Sequence, residues 1–252
     1  MRQLITQVDG DGCWNLDWIR AVKALTIKYS KIKFDVSTIV SYLDGSVRPK
    51  DAATRVELFR EIFSFPNVEP CNHSFSHPTN WRDRNSGGTT DKPWEPVKEV
   101  CYSTDFIDRH LVPDGKKCRV FLLTGACNPD VETLKVMHER GLIVMNGGID
   151  WEKPYRDVGG YRRYGQRAWH DCWHTGVRKY KDDVAYVEHP GDYVKVIDYF
   201  GENPDRPVHV YFHFYCAEFP ETYRAVNHVL NWANNQNLES LFLTEYVERL
   251  HS

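Results

Sequence analysis

The chain has 252 residues, of which 41% are hydrophobic and 27% charged, and 32 basic against 35 acidic side chains give a formal net charge of −3. A chain of this size and composition can bury a large core, which excludes disordered, collagen-like and coiled-coil proteins. The near-neutral charge, without a basic block interleaved with aromatic residues, argues against a nucleic-acid partner. The longest apolar runs, such as residues 120–123 and 142–145, fall far short of the roughly 20 residues of a membrane span.

The cysteines and the N-terminal segment bear on the compartment. Seven cysteines without paired CxxC spacing favour reduced, buried thiols over a disulfide framework or a structural zinc site, and would suit the cytoplasm. The first residues contain no apolar stretch of signal-peptide length and no cleavage site. The sequence therefore predicts either an intracellular protein or one domain of a longer exported precursor, and leaves the compartment open.

Short apolar runs alternate with segments of helical period along most of the chain, which is typical of βα units around a parallel sheet. We expect one α/β domain over residues 1–252, a (β/α) barrel with seven or eight strands. The predicted strands are Leu4–Val8, Ser37–Leu43, Val68–Asn72, Arg119–Thr124, Leu142–Asn146, Tyr193–Tyr199, Val208–Phe214 and Leu241–Leu243. The predicted helices are Asp17–Tyr29, Ala52–Phe65, Pro96–His110, Asp130–Arg140 and Glu221–Asn235.

Two stretches, 81–94 and 149–190, depart from this rhythm and are predicted to be long, aromatic-rich loop insertions. If their rings are exposed, they would stack on sugar faces; packing in the core is the alternative for some of them. The aromatic residues concerned are Trp81, Trp94, Trp151, Tyr155, Tyr161, Tyr164 and Trp169.

Two segments rich in aspartate or histidine follow predicted strands. The first strand ends in Asp9-Gly10-Asp11-Gly12, and the third in His73-Ser-Phe-Ser-His77. Carboxyl ends of barrel strands are where catalytic groups gather. The i,i+4 spacing would bring both imidazoles to one face if the segment were helical, as two ligands of one metal require. An ordinary Asp-Gly turn and a coincidental histidine pair are the alternatives.

The strand at 208–214 adds His209 and His213, and a core histidine satisfied by the backbone is the alternative for either one. Two carboxylates and three histidines at strand ends together favour a metal hydrolase. One carboxylate and two imidazoles would bind the metal, the second carboxylate would act as base, and a further histidine would act as acid.

Two other segments carry similar residue types. His170 and His174 flank Cys172 and could hold a second metal, although a packed loop is the favoured interpretation. Cys127 follows a strand and precedes a helix, where a thiol can become a nucleophile; a buried structural thiol is favoured.

The motifs resemble those of NodB-type polysaccharide deacetylases, and most closely the exopolysaccharide deacetylase domain of PelA-like proteins. The matching segments are DGDG at 9–12, HSFSHP at 73–78, TGACNP at 124–129, MNGG at 145–148 and FHFY at 212–215. Their order and spacing span nearly the whole chain. The R-x-P-x-G motif of the wider family is absent, so the arginine that orders its catalytic base has no counterpart, and the family's Asp-Trp pair is not recognisable either.

This resemblance implies a distorted (β/α) barrel, zinc or another divalent metal as cofactor, and removal of acetyl groups from N-acetylgalactosamine or N-acetylglucosamine units of a polysaccharide, as in biofilm exopolysaccharide. It implies an extracytoplasmic location. Carried over by position, the roles are Asp9 as base, Asp11, His73 and His77 as metal ligands, His213 as acid, Val210 as lining of the acetyl-methyl pocket and the region of Cys127 as source of the oxyanion amide. Asn146, in the MNGG segment, and Trp81, among the loop aromatics, are predicted as further substrate contacts.

Two alternatives from other functional classes remain. A carbohydrate-binding pseudo-enzyme would need only the aromatic loops. A (β/α)-barrel glycoside hydrolase would use Asp9 with a second carboxylate, Asp150 or Glu218, as its acid/base pair.

Overall fold

The computed structural model describes residues 1–85, 87–125, 127–145, 184–186, 197, 201 and 207–250. Its centre is an eight-stranded sheet in the order β5-β4-β3-β2-β1-β7-β6, with β8 paired to β1, and every pairing is parallel. The strands are β1 Arg2–Asp9, β2 Phe34–Thr38, β3 Val68–Asn72, β4 Val120–Leu122, β5 Ile143–Met145, β6 Val184–Tyr186, β7 Val208–His213 and β8 Leu238–Ser240. This confirms the predicted (β/α) barrel class.

Helices follow most of the strands along the chain. They are α1 Leu16–Lys28, α2 Ala52–Ser64, α3 Ser103–His110, α4 Val131–Glu139, α5 Pro220–Asn234 and α6 Leu243–Leu250. Four predicted helices are confirmed to within one residue at each end, because their apolar positions recur at helical spacing. In α1, for example, Asn15 caps the first turn and Ile19, Val22 and Leu25 are buried.

Strand β1 lies inside the sheet, and its two faces meet different parts of the core. Leu4 and Val8 belong to the large cluster that includes residues of α1, α2 and α5. Ile5 belongs to a second cluster, with Tyr211 of β7 and residues of α6. Since side chains alternate along a strand, Gln7 and Asp9 share the face of Ile5. The polar end of β1 therefore faces the interior of the curled sheet.

Two predicted strands are displaced. The segment predicted at 37–43 forms β2 three residues earlier, and Val40–Tyr42 forms a 3₁₀ turn. The N–H of Ser41 donates to the carbonyl of Phe75 at 2.9 Å, so this apolar run packs against a loop and does not extend the sheet. The segment predicted at 241–243 forms β8 three residues earlier, where Leu238–Ser240 can pair with the start of β1.

The remaining differences concern shorter segments. The helix predicted over 96–110 begins as a π-helical stretch, Val97–Tyr102, and only then becomes α3. In the segment predicted as a strand at 193–199, Ile197 is helical, and the other residues lie outside the described part of the chain. The stretch predicted as a loop at 149–190 is described only at Val184–Tyr186, which forms β6 because it can pair with β7. The six described cysteines are free. No helix in the described ranges is long and apolar enough to cross a membrane.

A buried carboxylate pair lies at the opposite end of the sheet from the Asp9 turn. Asp35 and Glu69 face each other in the register of β2 and β3, and they accept the N–H groups of Leu243 and Thr244 at the start of α6, at 3.0 and 3.3 Å. Burial and the facing Glu69 hold the pKa of Asp35 well above its usual range. Its Oδ2 is buried without a hydrogen-bond partner among the described residues, where a negative charge would be costly, so the neutral form of the carboxyl is favoured.

The substitution Asp35→Asn should make stability less dependent on pH. A carboxyl whose pKa is raised in the folded state stays protonated there while the unfolded chain ionises, so its contribution to stability is lost as pH rises from about 4 through the folded-state pKa. Urea unfolding across this range should show a smaller decline for Asp35→Asn, with a gain of the order of 1 kcal/mol at neutral pH. The exposed Asp114→Asn is the control. Parallel curves for wild type and Asp35→Asn would contradict this.

Candidate active site

Three side chains predicted as metal ligands converge above the carboxyl end of the sheet. Nε2 of His73 lies 3.0 Å from Oδ2 of Asp11, and Nε2 of His77 lies 2.9 Å from Oδ1 of the same carboxylate. The ligand atoms of the three residues all lie within 4.8 Å of one another. Burial alone would raise the pKa of Asp11, but the imidazoles of His77 and His213 outweigh it and hold that pKa well below its usual range.

The hydrogen bonds of His73 test whether this group fits a metal. Its Nδ1 lies 2.8 Å from the carbonyl of Leu122, which can only accept, so Nδ1 carries the hydrogen. In the neutral imidazole Nε2 then presents a lone pair to Asp11, and two lone pairs at 3.0 Å require a cation or a proton between them. A carbonyl that fixes the ligating tautomer is a recurrent feature of histidine metal sites. The donor set therefore fits a divalent metal.

The segment that carries His73 and His77 is a tight loop and not the helical turn that the i,i+4 spacing had suggested. Ser74 and His77 adopt positive φ angles of 68° and 58°, and the N–H of His77 donates to the Ser74 hydroxyl at 2.8 Å. Buried Glu99, in the π-helical stretch, accepts the N–H and the hydroxyl of Ser76 at 2.7 and 2.6 Å. A strained loop held this firmly can present both imidazoles to one point.

Gly88 closes over this loop from the 81–94 segment. It has a φ of 60°, and a Cβ at this position would lie 1.9 Å from the carbonyl oxygen of His77. Only glycine allows this approach, so the turn at 87–88 packs directly against the backbone of a candidate ligand.

Asp9 ends β1 with almost no exposed surface, and both carboxylate oxygens are occupied. Nε2 of Gln7 donates to Oδ1 at 2.8 Å, and the hydroxyl of Tyr211 donates to Oδ2 at 2.8 Å. Burial raises the pKa of Asp9, while the nearby His73 and the bond from Gln7 offset part of that rise. A carboxylate of raised basicity, fixed in one orientation, suits proton abstraction.

His213 lies opposite Asp9 in the register of β1 and β7, and Tyr211 joins the two. The single hydroxyl hydrogen of Tyr211 is donated to Asp9, so at 2.8 Å from Nε2 of His213 the Tyr211 oxygen is the acceptor. Nε2 of His213 therefore carries a hydrogen. That favours a role as proton donor over a role as metal ligand, although Asp9, Asp11 and His213 also form a compact group.

Gln7 and Tyr211 were not among the site residues predicted from the sequence. Both lie two residues before a predicted site residue on the same strand, so they share its face of the sheet. Together they hold Asp9 in position. In the NodB-type deacetylases, which the sequence resembles, an arginine of the R-x-P-x-G motif has this role, and that motif is absent here.

Val210 was predicted to line an acetyl-methyl pocket, and the structure corrects this. It is three residues from His213 on a regular strand, so its side chain points to the opposite face, where it is buried in the cluster with α1, α2 and α5. His209 shares the face of His213 but lies deeper, and burial lowers its pKa to about 3, so it is neutral.

Trp81 was predicted to contact substrate, and this is also corrected. Its side chain has 0% exposure, its indole N–H donates to the carbonyl of Thr124 at 2.9 Å, and its ring packs edge-on against Trp94 and Phe121. A ring without exposed surface cannot stack on a sugar. It instead joins the 81–94 segment to the core.

The backbone N–H of Cys127, predicted as the oxyanion donor, is engaged elsewhere. The N–H of Cys127 donates to the carbonyl of Thr124 at 3.0 Å within a turn, and so is already occupied. Burial raises the pKa of the Cys127 thiol well above its usual range, which also argues against a nucleophile. Asn146, and the 170–174 segment with its second histidine pair, lie outside the described residues.

No protein-family model matches the sequence, and no curated protein matches it significantly. Solved structures do. They include a protein assigned as a polysaccharide deacetylase from Mycobacterium smegmatis, with a TM-score of 0.58 and 9% identity over 94% of this chain and 77% of that one. The Xyl-CE4 domain of a multidomain xylanase from the hindgut metagenome of Trinervitermes trinervoides has a TM-score of 0.53 and 9% identity, over 99% and 91% of the two chains.

The 4-alpha-glucanotransferase from Thermococcus litoralis is also similar, with a TM-score of 0.54 and 13% identity over 98% of this chain. This chain spans 40% of the length of that enzyme. At these identities the similarity shows a common fold and nothing finer. The fold accommodates deacetylases and a glucanotransferase alike, so the function must be argued from the site.

Proposed function

We propose that this protein is a metal-dependent hydrolase that removes N-acetyl groups from amino sugar units of a polysaccharide. The observation that carries the proposal is the convergence of Asp11, His73 and His77 on one point, with Asp9 and His213 joined beside them through Tyr211. N-acetylgalactosamine or N-acetylglucosamine units of an exopolysaccharide are the proposed substrate. The DGDG, HSFSHP and MNGG segments support the PelA-like assignment.

The metal would be held by one carboxylate and two imidazole nitrogens, a donor set that suits zinc. Bound there, it would polarise the acetamide carbonyl and lower the pKa of a water molecule. The chain's contribution is to fix the ligands. His73 is oriented by the carbonyl of Leu122, and the loop that carries His77 is anchored to Glu99.

Asp9 and His213 divide the proton transfers. Water adds to the acetamide carbonyl, the carbon–nitrogen bond breaks, and acetate and a free amine are formed. Asp9 accepts the proton that the attacking water loses, and Nε2–H of His213 donates a proton to the departing nitrogen. Tyr211 is hydrogen-bonded to both groups, so base and acid are held in fixed positions before substrate arrives.

Acetate release tests this proposal. The zinc-loaded protein should release acetate from at least one oligosaccharide in a panel of N-acetylated glycans, EDTA should abolish the release, and added zinc should restore it. EDTA-resistant formation of reducing ends would instead identify a glycoside hydrolase. Binding of the glycans without either product would identify a pseudo-enzyme.

The substitution Tyr211→Phe should lower kcat by about 10- to 100-fold, the usual effect of removing a group that orients a catalytic residue. KM and zinc affinity should not change, because the bonds of the buried Tyr211 hydroxyl go to Asp9 and His213, neither of which is one of the three proposed ligands. Tyr223→Phe is the matched control, since it removes one hydroxyl that donates to a helix carbonyl at 3.3 Å. An unchanged kcat, or a parallel loss of zinc affinity, would contradict the positioning role.

A further inference from the structure

A cleft of about 460 Å³ opens beside Asp11 and His77, on the side of the first βα loop. Gly12 forms part of its wall with a φ of 90°, and a Cβ there would lie 2.8 Å from the ring of Trp18 and 2.9 Å from the backbone nitrogen of Tyr215. The glycine after Asp11 thus lets the loop lie directly against two aromatic residues. The cleft is contiguous with the proposed metal ligands.

Aromatic side chains dominate the cleft wall. Trp14, Trp18, Tyr42 and Tyr215 all line it, each partly exposed. Tyr215 stacks on the imidazole of His213 with ring centroids 4.5 Å apart, so this aromatic wall begins next to the proposed acid. These residues, and not the buried Trp81 and Trp94, offer ring faces and edges to a ligand. Such surfaces suit the apolar faces of a pyranose ring.

Glu218 gives the cleft its charge. It is exposed, lines the cleft, and forms no ion pair among the described residues. No lysine or arginine is among the described residues that line the cleft. Arg48 stacks on Trp14 at 3.9 Å, outside the lining. Asp11 and Glu218 are the carboxylates among the described lining residues, and since Asp11 is a proposed metal ligand, Glu218 is the one left to accept a cationic group.

We propose that this cleft binds an amino sugar unit whose amine is free and protonated, next to the acetylated unit at the metal. The proposal rests on the proposed function and names its substrate more closely as a partly deacetylated polymer. The aromatic rings would hold the sugar, and the carboxylate of Glu218 would accept the ammonium group. The product of one turnover is then a better substrate for the next, which would generate runs of deacetylated units.

Calorimetry on the zinc-loaded Asp9→Asn variant, in which turnover is suppressed, tests the proposal below neutral pH, where the amine is protonated. Glucosamine oligomers should bind more tightly than N-acetylglucosamine oligomers of equal length. Adding Glu218→Gln should weaken binding of the glucosamine oligomers by about fivefold, the size of one exposed charge pair, and leave the acetylated oligomers unchanged. Trp14→Ala should weaken binding of both by about fivefold.

Glu221→Gln is the matched control, since Glu221 lies three residues away and pairs with Arg224 outside the cleft. Equal binding of the two oligomer types, no binding of either, or an equal effect of Glu218→Gln and Glu221→Gln would each overturn the proposal. Acetate release by the wild type is measured separately. A protein that deacetylates without preferring the free amine refutes the cleft assignment alone, and one that prefers the amine without releasing acetate refutes the deacetylase function alone.

Discussion

The register between β1 and β7 is the constraint on which the site depends. Parallel pairing sets Gln7 opposite Tyr211 and Asp9 opposite His213, so that four polar side chains share one face at the carboxyl edge of the sheet. A shift of one residue in either strand would turn its two polar side chains into the apolar cluster behind the sheet. The apolar residues between them, Val8 and Phe212, are buried on the other face and therefore hold the two strands in this register.

Burial removes these polar groups from water, which changes their acidity and makes their charged forms destabilising when unpartnered. Asp9 and His73 are almost fully buried, where an unpartnered charge would be strongly destabilising. Hydrogen bonds from Gln7 and Tyr211 satisfy Asp9, and the carbonyl of Leu122 accepts from His73. The protein groups leave unsatisfied the contact of Asp11 with two imidazoles, which a proton or a bound cation between them would satisfy.

Local pattern in the sequence was sufficient for four of the helices and for the polar residues that follow strands, because both depend on neighbours along the chain. Contacts between distant segments were not predictable in this way. The bond from Tyr211 to Asp9 joins residues 202 positions apart and follows only from the strand register. Val210 was misplaced because family spacing was applied without regard to strand alternation. Trp81 was misplaced because composition does not show whether an aromatic side chain in a loop is buried.

We propose that Asp9 and Asp11, two residues apart on the chain, have separate roles, and a paired measurement on their variants distinguishes these roles. Zinc stoichiometry and acetate release should be determined together on Asp9→Asn and Asp11→Asn. The account predicts that Asp9→Asn binds one zinc per chain and loses turnover by about 10²-fold or more, because an amide cannot accept the proton from water. For Asp11→Asn, weakened zinc affinity is expected to be the primary defect. Loss of zinc in Asp9→Asn, with zinc retained in Asp11→Asn, would contradict the account.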